Sequence, residues 1–236
     1  MTLPQFTLVL PAAGTSSRFG SNKLLASLGG ETVFNRTLNA FLAHPALAGV
    51  VVATQDPNAL RQASIRTLDK FEARGIPVQF VAGGDCRAQS VANAVTAAAA
   101  DIEWIAVHDA ARPLVSAELI NRTLLAAVEH GAAAPAMAVT STVKQTAGPL
   151  PAQVLRTISR ETLWALQTPQ IARRSALLDS IGRCPVPLSS VTDDLQLIEL
   201  NGGDTWLVVG DERNIKLTTS SDLAIAESLL ARVPTA

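Results

Sequence analysis

The chain has 236 residues, 48% hydrophobic and 17% charged, with a formal net charge of −1. That length can bury a sizeable core as one domain, and the near-neutral charge disfavours a nucleic-acid backbone or an anionic membrane as main partner. No apolar run approaches the roughly 18 residues of a membrane span. No Lys or Arg precedes the first apolar run, so the chain is expected to be cytoplasmic.

Leu8 to Pro11 reads as a short buried strand. It leads into the loop from Ala12 to Lys23, which is built largely of small residues with free backbone N–H groups. Arg18 and Lys23 are the only basic residues before Arg36, and no acid occurs before Glu31. A small-residue loop holding two cations suits a polyphosphate, although a plain turn with solvated cations has the same composition. Lys23 lacks the Gly-Lys-Ser/Thr context of a Walker loop. The spacing of Gly14 and Gly20 does not match a dinucleotide fingerprint.

Further strands are expected at Gly49 to Thr54, Val78 to Ala82 and Trp104 to Val107. Helices are expected at Phe34 to Ala43, Asn58 to Arg74, Arg87 to Ala100 and Ala117 to His130. Ser116 and Asp193 suit N-caps, and Gly75 and Gly131 suit helix stops. This alternation predicts an α/β fold with a parallel sheet covered on both faces, whose ligands gather at the carboxyl ends of the strands. Three segments fall at that edge: the opening loop, Gly83-Gly84-Asp85, and His108-Asp109-Ala110-Ala111-Arg112-Pro113. In the last, Asp109 and Arg112 suit a ribose, a metal or a phosphate, and equally an ion pair capping the turn. His108 reads as a packed, hydrogen-bonded histidine rather than a base.

After Ala138 the pattern changes. Thr140 to Thr146 and Val154 to Ser159 alternate like half-exposed strands around a Gly/Pro-rich turn, predicting a projecting hairpin arm. A lone hairpin is marginal in water, so a second copy of the chain is the expected partner. Helices are expected from Arg174, after Asp193 and from Ser220, with a strand at Thr205 to Val209. Cys86 and Cys184 lie far apart and read as separate thiols, and the three histidines share no ligand spacing. Only four lysines occur against fifteen arginines, and two of them, Lys23 and Lys216, fall in predicted edge loops.

Taken in order, these segments resemble the nucleotidyltransferases that activate sugar phosphates. They are Pro11-Ala12-Ala13-Gly14 with Arg18 and Lys23, Gly83-Gly84-Asp85, Val107 to Pro113, Thr168-Pro169-Gln170, Thr192-Asp193-Asp194 and Asn214-Ile215-Lys216. The order is similar to that of the 2-C-methyl-D-erythritol 4-phosphate cytidylyltransferases, over nearly the whole chain. Ser16 stands where many members carry a second loop glycine, and Asn22-Lys23-Leu24-Leu25 replaces a Pro-Lys-Gln-Tyr-like run. Ribitol-5-phosphate cytidylyltransferases are close relatives, and the Ala110-Ala111 pair favours the methylerythritol enzymes over them.

The resemblance implies one domain over 1–236 of the nucleotide-diphospho-sugar transferase type. That is a Rossmann-like three-layer sandwich with a mostly parallel sheet and a dimerisation β-arm at about 139–160. It implies CTP, 2-C-methyl-D-erythritol 4-phosphate and Mg²⁺, the ion held mainly by CTP phosphates, in a homodimer. Arg18 and Lys23 would stabilise the transition state, and Arg160 and Lys216 would position the attacking phosphate. Pro11, Ala12, Ala13, Gly14, Gly84, Asp85, Ser90 and Asp109 would bind CTP. Asp109, Arg112, Thr142 and Thr192 would bind the acceptor, and Arg160 would reach the partner's site.

Overall fold

The computed structural model describes residues 3–14, 19 and 22–231. Strand β1 (Phe6–Pro11) enters the loop that ends in a 3₁₀ turn at Lys23–Leu25, followed by a short hairpin, β2 (Ser27–Leu28) and β3 (Glu31–Thr32). Then come α1 (Val33–Leu42), β4 (Leu47–Thr54), α2 (Pro57–Ala63), α3 (Ile65–Ala73), β5 (Val78–Ala82), α4 (Arg87–Ala97) and β6 (Trp104–Val107). The second half holds α5 (Ala117–His130), β7 (Ala132–Ala138), β8 (Val143–Thr146), β9 (Val154–Ile158), β10 (Trp164–Leu166) and β11 (Gln170–Arg173). It closes with α6 (Arg174–Gly182), α7 (Asp194–Leu200), β12 (Trp206–Val209) and α8 (Ser220–Leu230).

Among the described residues, eight strands form one sheet. β5, β4, β1 and β6 are mutually parallel, and β11 runs antiparallel between β6 and β7. Ala133 pairs with both Ile171 and Trp206, and Ala136 with both Leu166 and Val209. β10 and β11 therefore share one edge of β7, while β12 lies parallel on the other. Alternation along the strands supplies two cores. Phe6, Leu8, Leu10, Val50, Val52 and Ala106 face α1, α3 and α5. Val9, Val51, Ala53, Ile105 and Val107 face α4, α6 and α7. The fold is thus an α/β three-layer sandwich, and β8 and β9 form a separate two-stranded arm.

The sequence-based boundaries hold at several caps: the side chains of Ser116 and Asp193 accept helix N–H groups, and Gly131 ends α5 at φ 91°. The helix expected over Asn58 to Arg74 is instead two, broken at Ser64. The Asn35 side chain takes the Ala63 carbonyl at 2.9 Å, and the Thr67 and Leu68 N–H groups turn to Ser64. α4 stops at Ala97, three residues short of expectation. β7, β10 and β11 were not anticipated. β7 reads Ala-Ala-Ala-Pro-Ala-Met-Ala, without the β-branched and aromatic residues that mark strands. Its alanines are buried in both cores, Ala133 in one and Ala132 and Ala134 in the other, and ladder pairing on both edges holds it as a strand. Pro135 costs no ladder donor there, since its ring faces the break between β10 and β11, where Gln167 N–H reaches its carbonyl.

Candidate active site

Two clefts open at the carboxyl ends of the parallel strands. The first, of 370 Å³, is floored by Pro11, Ala12, Ala13 and Gly14 after β1 and flanked by Lys23 and Leu24. Its opposite wall is Gly84, Asp85, Cys86, Arg87 and Ser90 at the start of α4, with Asp109, Ala110, Ala111 and Lys216 behind. The second, of 250 Å³, is lined by Arg112, Leu166, Gln167, Thr168, Gln170, Thr192 and Asp193. Arg87, Asp109 and Lys216 line both clefts, so the clefts share a charged wall.

Backbone economy shapes the first cleft. A Cβ at Gly83 would collide with the Ala13 methyl, and one at Gly84 with the Gln89 side chain. Only glycine lets the β5–α4 turn close against the β1 loop. Ser90 then locks the turn: its hydroxyl accepts from Gly84 N–H at 3.0 Å and donates to the Cys86 carbonyl at 3.0 Å. Gly84 and Asp85, held on this turn, line the cleft.

The shared wall centres on Asp109, which is 7% exposed. Its N–H donates to Thr168 Oγ1 at 3.1 Å, and the Thr168 hydroxyl donates to His108 Nδ1 at 3.0 Å. His108 therefore carries its proton on Nε2, which donates to the Arg112 carbonyl at 3.1 Å. Burial pushes the His108 pKa down to about 4, against the opposing pull of that hydrogen bond, so the ring is neutral near pH 7. It lines neither cleft. His108 is a packed strut that fixes Asp109 and Arg112, as its apolar surroundings in the sequence suggested.

Among the described residues, the Asp109 carboxylate meets three cations. Arg87 Nε lies 3.4 Å from Oδ1; Arg112 Nε lies 3.2 Å and Lys216 Nζ 3.0 Å from Oδ2. Burial alone would raise its pKa, but Arg87, Lys216 and Arg112 outweigh burial and hold it well below the usual carboxylate range. Asp109 stays ionised at any working pH. The Lys216 loop is pinned in turn: Arg112 Nη1 donates to the Asn214 carbonyl at 2.7 Å and Asn214 Nδ2 to the Thr168 carbonyl at 2.7 Å. Gln167 Nε2 donates to the Asp211 carbonyl at 2.8 Å, and Asp211 N–H donates to Gln167 Oε1 at 3.1 Å.

Pro11, Ala12, Ala13, Gly14, Lys23, Gly84, Asp85, Ser90, Asp109 and Lys216 thus meet in one cleft. Arg112 and Thr192 join Asp109 and Lys216 in the other. Arg18 lies outside the described residues. Thr142 and Arg160 sit exposed at the base of the arm, where the Arg160 guanidinium donates to the Thr140 carbonyl, and they line neither of these clefts. Sequence reasoning missed Arg87 as a site residue, along with the supporting Gln167; Gln170 stood in a quoted segment without a role. One signal pointed to Arg87: a cation at the first position of a helix opposes the helix dipole and needs a reason to be there.

The cationic wall, a backbone-rich cradle and two adjoining clefts suit two phosphorylated ligands brought end to end. Comparison with known proteins bears on which ones. The profile of the family described as IspD: 2-C-methyl-D-erythritol 4-phosphate cytidylyltransferase matches residues 6–232. A protein of that name from Gloeobacter violaceus is 36% identical over 225 residues, covering 94% of this chain and 95% of its own. The bifunctional enzyme IspD/IspF of Anaeromyxobacter dehalogenans is 39% identical over 224 residues; the match covers 94% of this chain and 56% of that longer protein. Among solved structures, the Thermus thermophilus cytidylyltransferase superposes with a TM-score of 0.74 at 33% identity, covering 99% of this chain and 100% of its own.

Proposed function

This chain belongs to the 2-C-methyl-D-erythritol 4-phosphate cytidylyltransferase family, and we propose that it transfers CMP from CTP to 2-C-methyl-D-erythritol 4-phosphate. The products are 4-diphosphocytidyl-2-C-methyl-D-erythritol and pyrophosphate, a step of isoprenoid biosynthesis by the non-mevalonate route. The observation that carries this reading is the pair of clefts with a common wall of Arg87, Asp109 and Lys216. A nucleotide in the first and a phosphorylated polyol in the second would meet at that wall.

The chemistry follows from charge. An oxygen of the acceptor phosphate attacks the α-phosphorus of CTP, the Pα–O–Pβ bond breaks, and pyrophosphate departs in line. Both reactants are anions, so the protein's task is neutralisation and alignment. The acceptor phosphate is ionised near neutral pH, so no general base is required. Lys23, with Arg18, stabilises charge on the transition state and the leaving group. Lys216, with Arg112, holds the incoming phosphate, while Arg160 serves the site of a second subunit through the arm.

The backbone near Gly84 and Asp85, locked by Ser90, reads the cytosine. Asp109 takes a ribose or polyol hydroxyl, since a permanently ionised carboxylate is a strong acceptor. Of the carboxylates lining the nucleotide cleft, Asp109 already has both oxygens engaged by cations, leaving Asp85. These residues fit Mg²⁺ that arrives on the triphosphate, where it offsets phosphate charge. We read the chain as one domain acting as a cytoplasmic homodimer. No helix among the described residues is long and apolar enough to cross a membrane.

The test is pyrophosphate release by purified protein with Mg²⁺, offering each nucleoside triphosphate with methylerythritol phosphate or ribitol 5-phosphate. Release is expected with CTP and methylerythritol phosphate together. A preference for ribitol phosphate would reassign the acceptor, and release with no acceptor would refute transfer.

A further inference from the structure

Arg87 is the side chain that binds the two clefts to each other. It stands at the first position of α4, directly behind the turn that walls the nucleotide cleft. Its Nη1 and Nη2 reach Asp194 Oδ1 and Oδ2 at 2.9 and 2.8 Å, a two-pronged pair, while its Nε reaches Asp109. Asp194 is 1% exposed and opens α7, immediately after Thr192 and Asp193 of the acceptor cleft. That opening turn is held in other ways too: Gln170 Oε1 accepts from the N–H groups of Asp194 at 2.7 Å and Leu195 at 3.1 Å. Asp193 Oδ1 caps Leu195 and Gln196. The sheet thus fixes the α7 turn through Gln170, and Arg87 ties the same turn to α4.

The planar fork explains why arginine stands here against the helix dipole. It grips Asp194 with two parallel N–H groups while Nε reaches Asp109 after β6, a fixed planar geometry that an ammonium on a flexible stem does not reproduce. We propose that Arg87 is a positioning residue for the transfer reaction. Its fork to Asp194 and Asp109 sets the acceptor turn at Thr192–Asp193 at a fixed distance from the nucleotide turn at Gly84–Asp85. The proposal rests on the cytidylyl-transfer reading, because it concerns the register of two substrates across one wall. Misplacing reacting groups by about 1 Å costs on the order of a hundredfold in rate without abolishing binding of either partner.

Removing Arg87 alone would leave Asp194 buried and unpaired, and such a variant risks failing to fold. Two others avoid this. Arg87→Lys keeps a cation beside Asp194 but loses the fork. The double variant Arg87→Met/Asp194→Leu removes both charges and refills the space, an exchange that commonly preserves stability. Both are expected to keep the wild-type melting temperature within a few degrees and CTP affinity, by calorimetry, within about threefold. At saturating CTP and acceptor, kcat should fall about tenfold to a hundredfold in each. A purely structural pair would differ in kcat alone: the double variant would keep its stability and also turn over at the wild-type rate. That result, or CTP affinity lost in proportion to kcat in Arg87→Lys, would overturn the proposal. Wild-type protein in the same assay separates the two levels: an inactive wild type removes the transfer reading and the clamp's role with it. An active wild type alongside equally active variants removes the clamp alone.

Discussion

Lys23 lines the first cleft while His108 is packed behind Asp109 and Arg112, and the two differ in kind. Lys23 lines the nucleotide cleft from a 3₁₀ turn whose start is fixed by Asn22, the side chain of which accepts the Leu24 N–H. If Lys23 acts on charge that develops only in the transition state, Lys23→Ala should lower kcat a hundredfold or more, a loss of about 3–4 kcal/mol, with CTP affinity largely kept. Single-turnover rates and calorimetric CTP binding on the same protein check this. His108 instead holds geometry, and its signature is in stability. Its folded pKa of about 4 lies below the unfolded value near 6.5, so between these values the unfolded chain binds the extra proton. Stability is therefore full above pH 6.5 and falls as pH drops toward 4, approaching about 3 kcal/mol from this residue. Urea midpoints measured from pH 7 to 4 should show that decline, and His108→Gln should flatten it. A decline of equal slope in the variant would assign it to other groups.

At the scale of elements, the β5–α4 turn is the most demanding local structure of the site. Gly83 packs so closely on Ala13 that any side chain forces the nucleotide loop and the turn apart. Gly83→Ala should raise KM for CTP at least tenfold with little change in melting temperature, since the clash falls at a cleft rim rather than in the core; titration of CTP with a fixed acceptor reads it. This turn was legible in the sequence as the edge loop Gly83-Gly84-Asp85 between a strand and a helix; its close approach to Ala13 was not. The partners of the wall were less so. Asp109 with Arg112 could be paired from their spacing, but Arg87, Lys216 and Asp194 come from three distant segments, and only the crossing of the sheet brings them together. β7 escaped for another reason: its alanines carry no period, and packing between layers decides what propensity leaves open.

The whole molecule adds the arm, and at its base lie Thr142 and Arg160, the two residues of the expected site that line neither cleft. The arm exposes Leu150, Val154 and Leu155, which a second subunit would cover. If Arg160 serves the neighbouring site, inactive Lys23→Ala and Arg160→Ala proteins mixed and allowed to exchange subunits should regain about a quarter of wild-type activity. Half the dimers are then mixed, and each holds one complete site. No recovery on mixing would place Arg160 in its own subunit's site. The alternation of strand and helix, the loop leading to Lys23 and the arm were readable from pattern; the convergence of Arg87, Asp109 and Lys216 on one wall was not.

That convergence is the core of the account, since it requires the acceptor's own phosphate oxygen to form the new bond at the α-phosphorus of CTP. Methylerythritol phosphate labelled with ¹⁸O in its phosphate, turned over with CTP and followed by ³¹P NMR and mass spectrometry, tests this directly. The label should appear in the oxygen bridging the two phosphorus atoms of the product, with none in pyrophosphate. Label in pyrophosphate, or CMP released with no phosphorus–oxygen–phosphorus product, would contradict it.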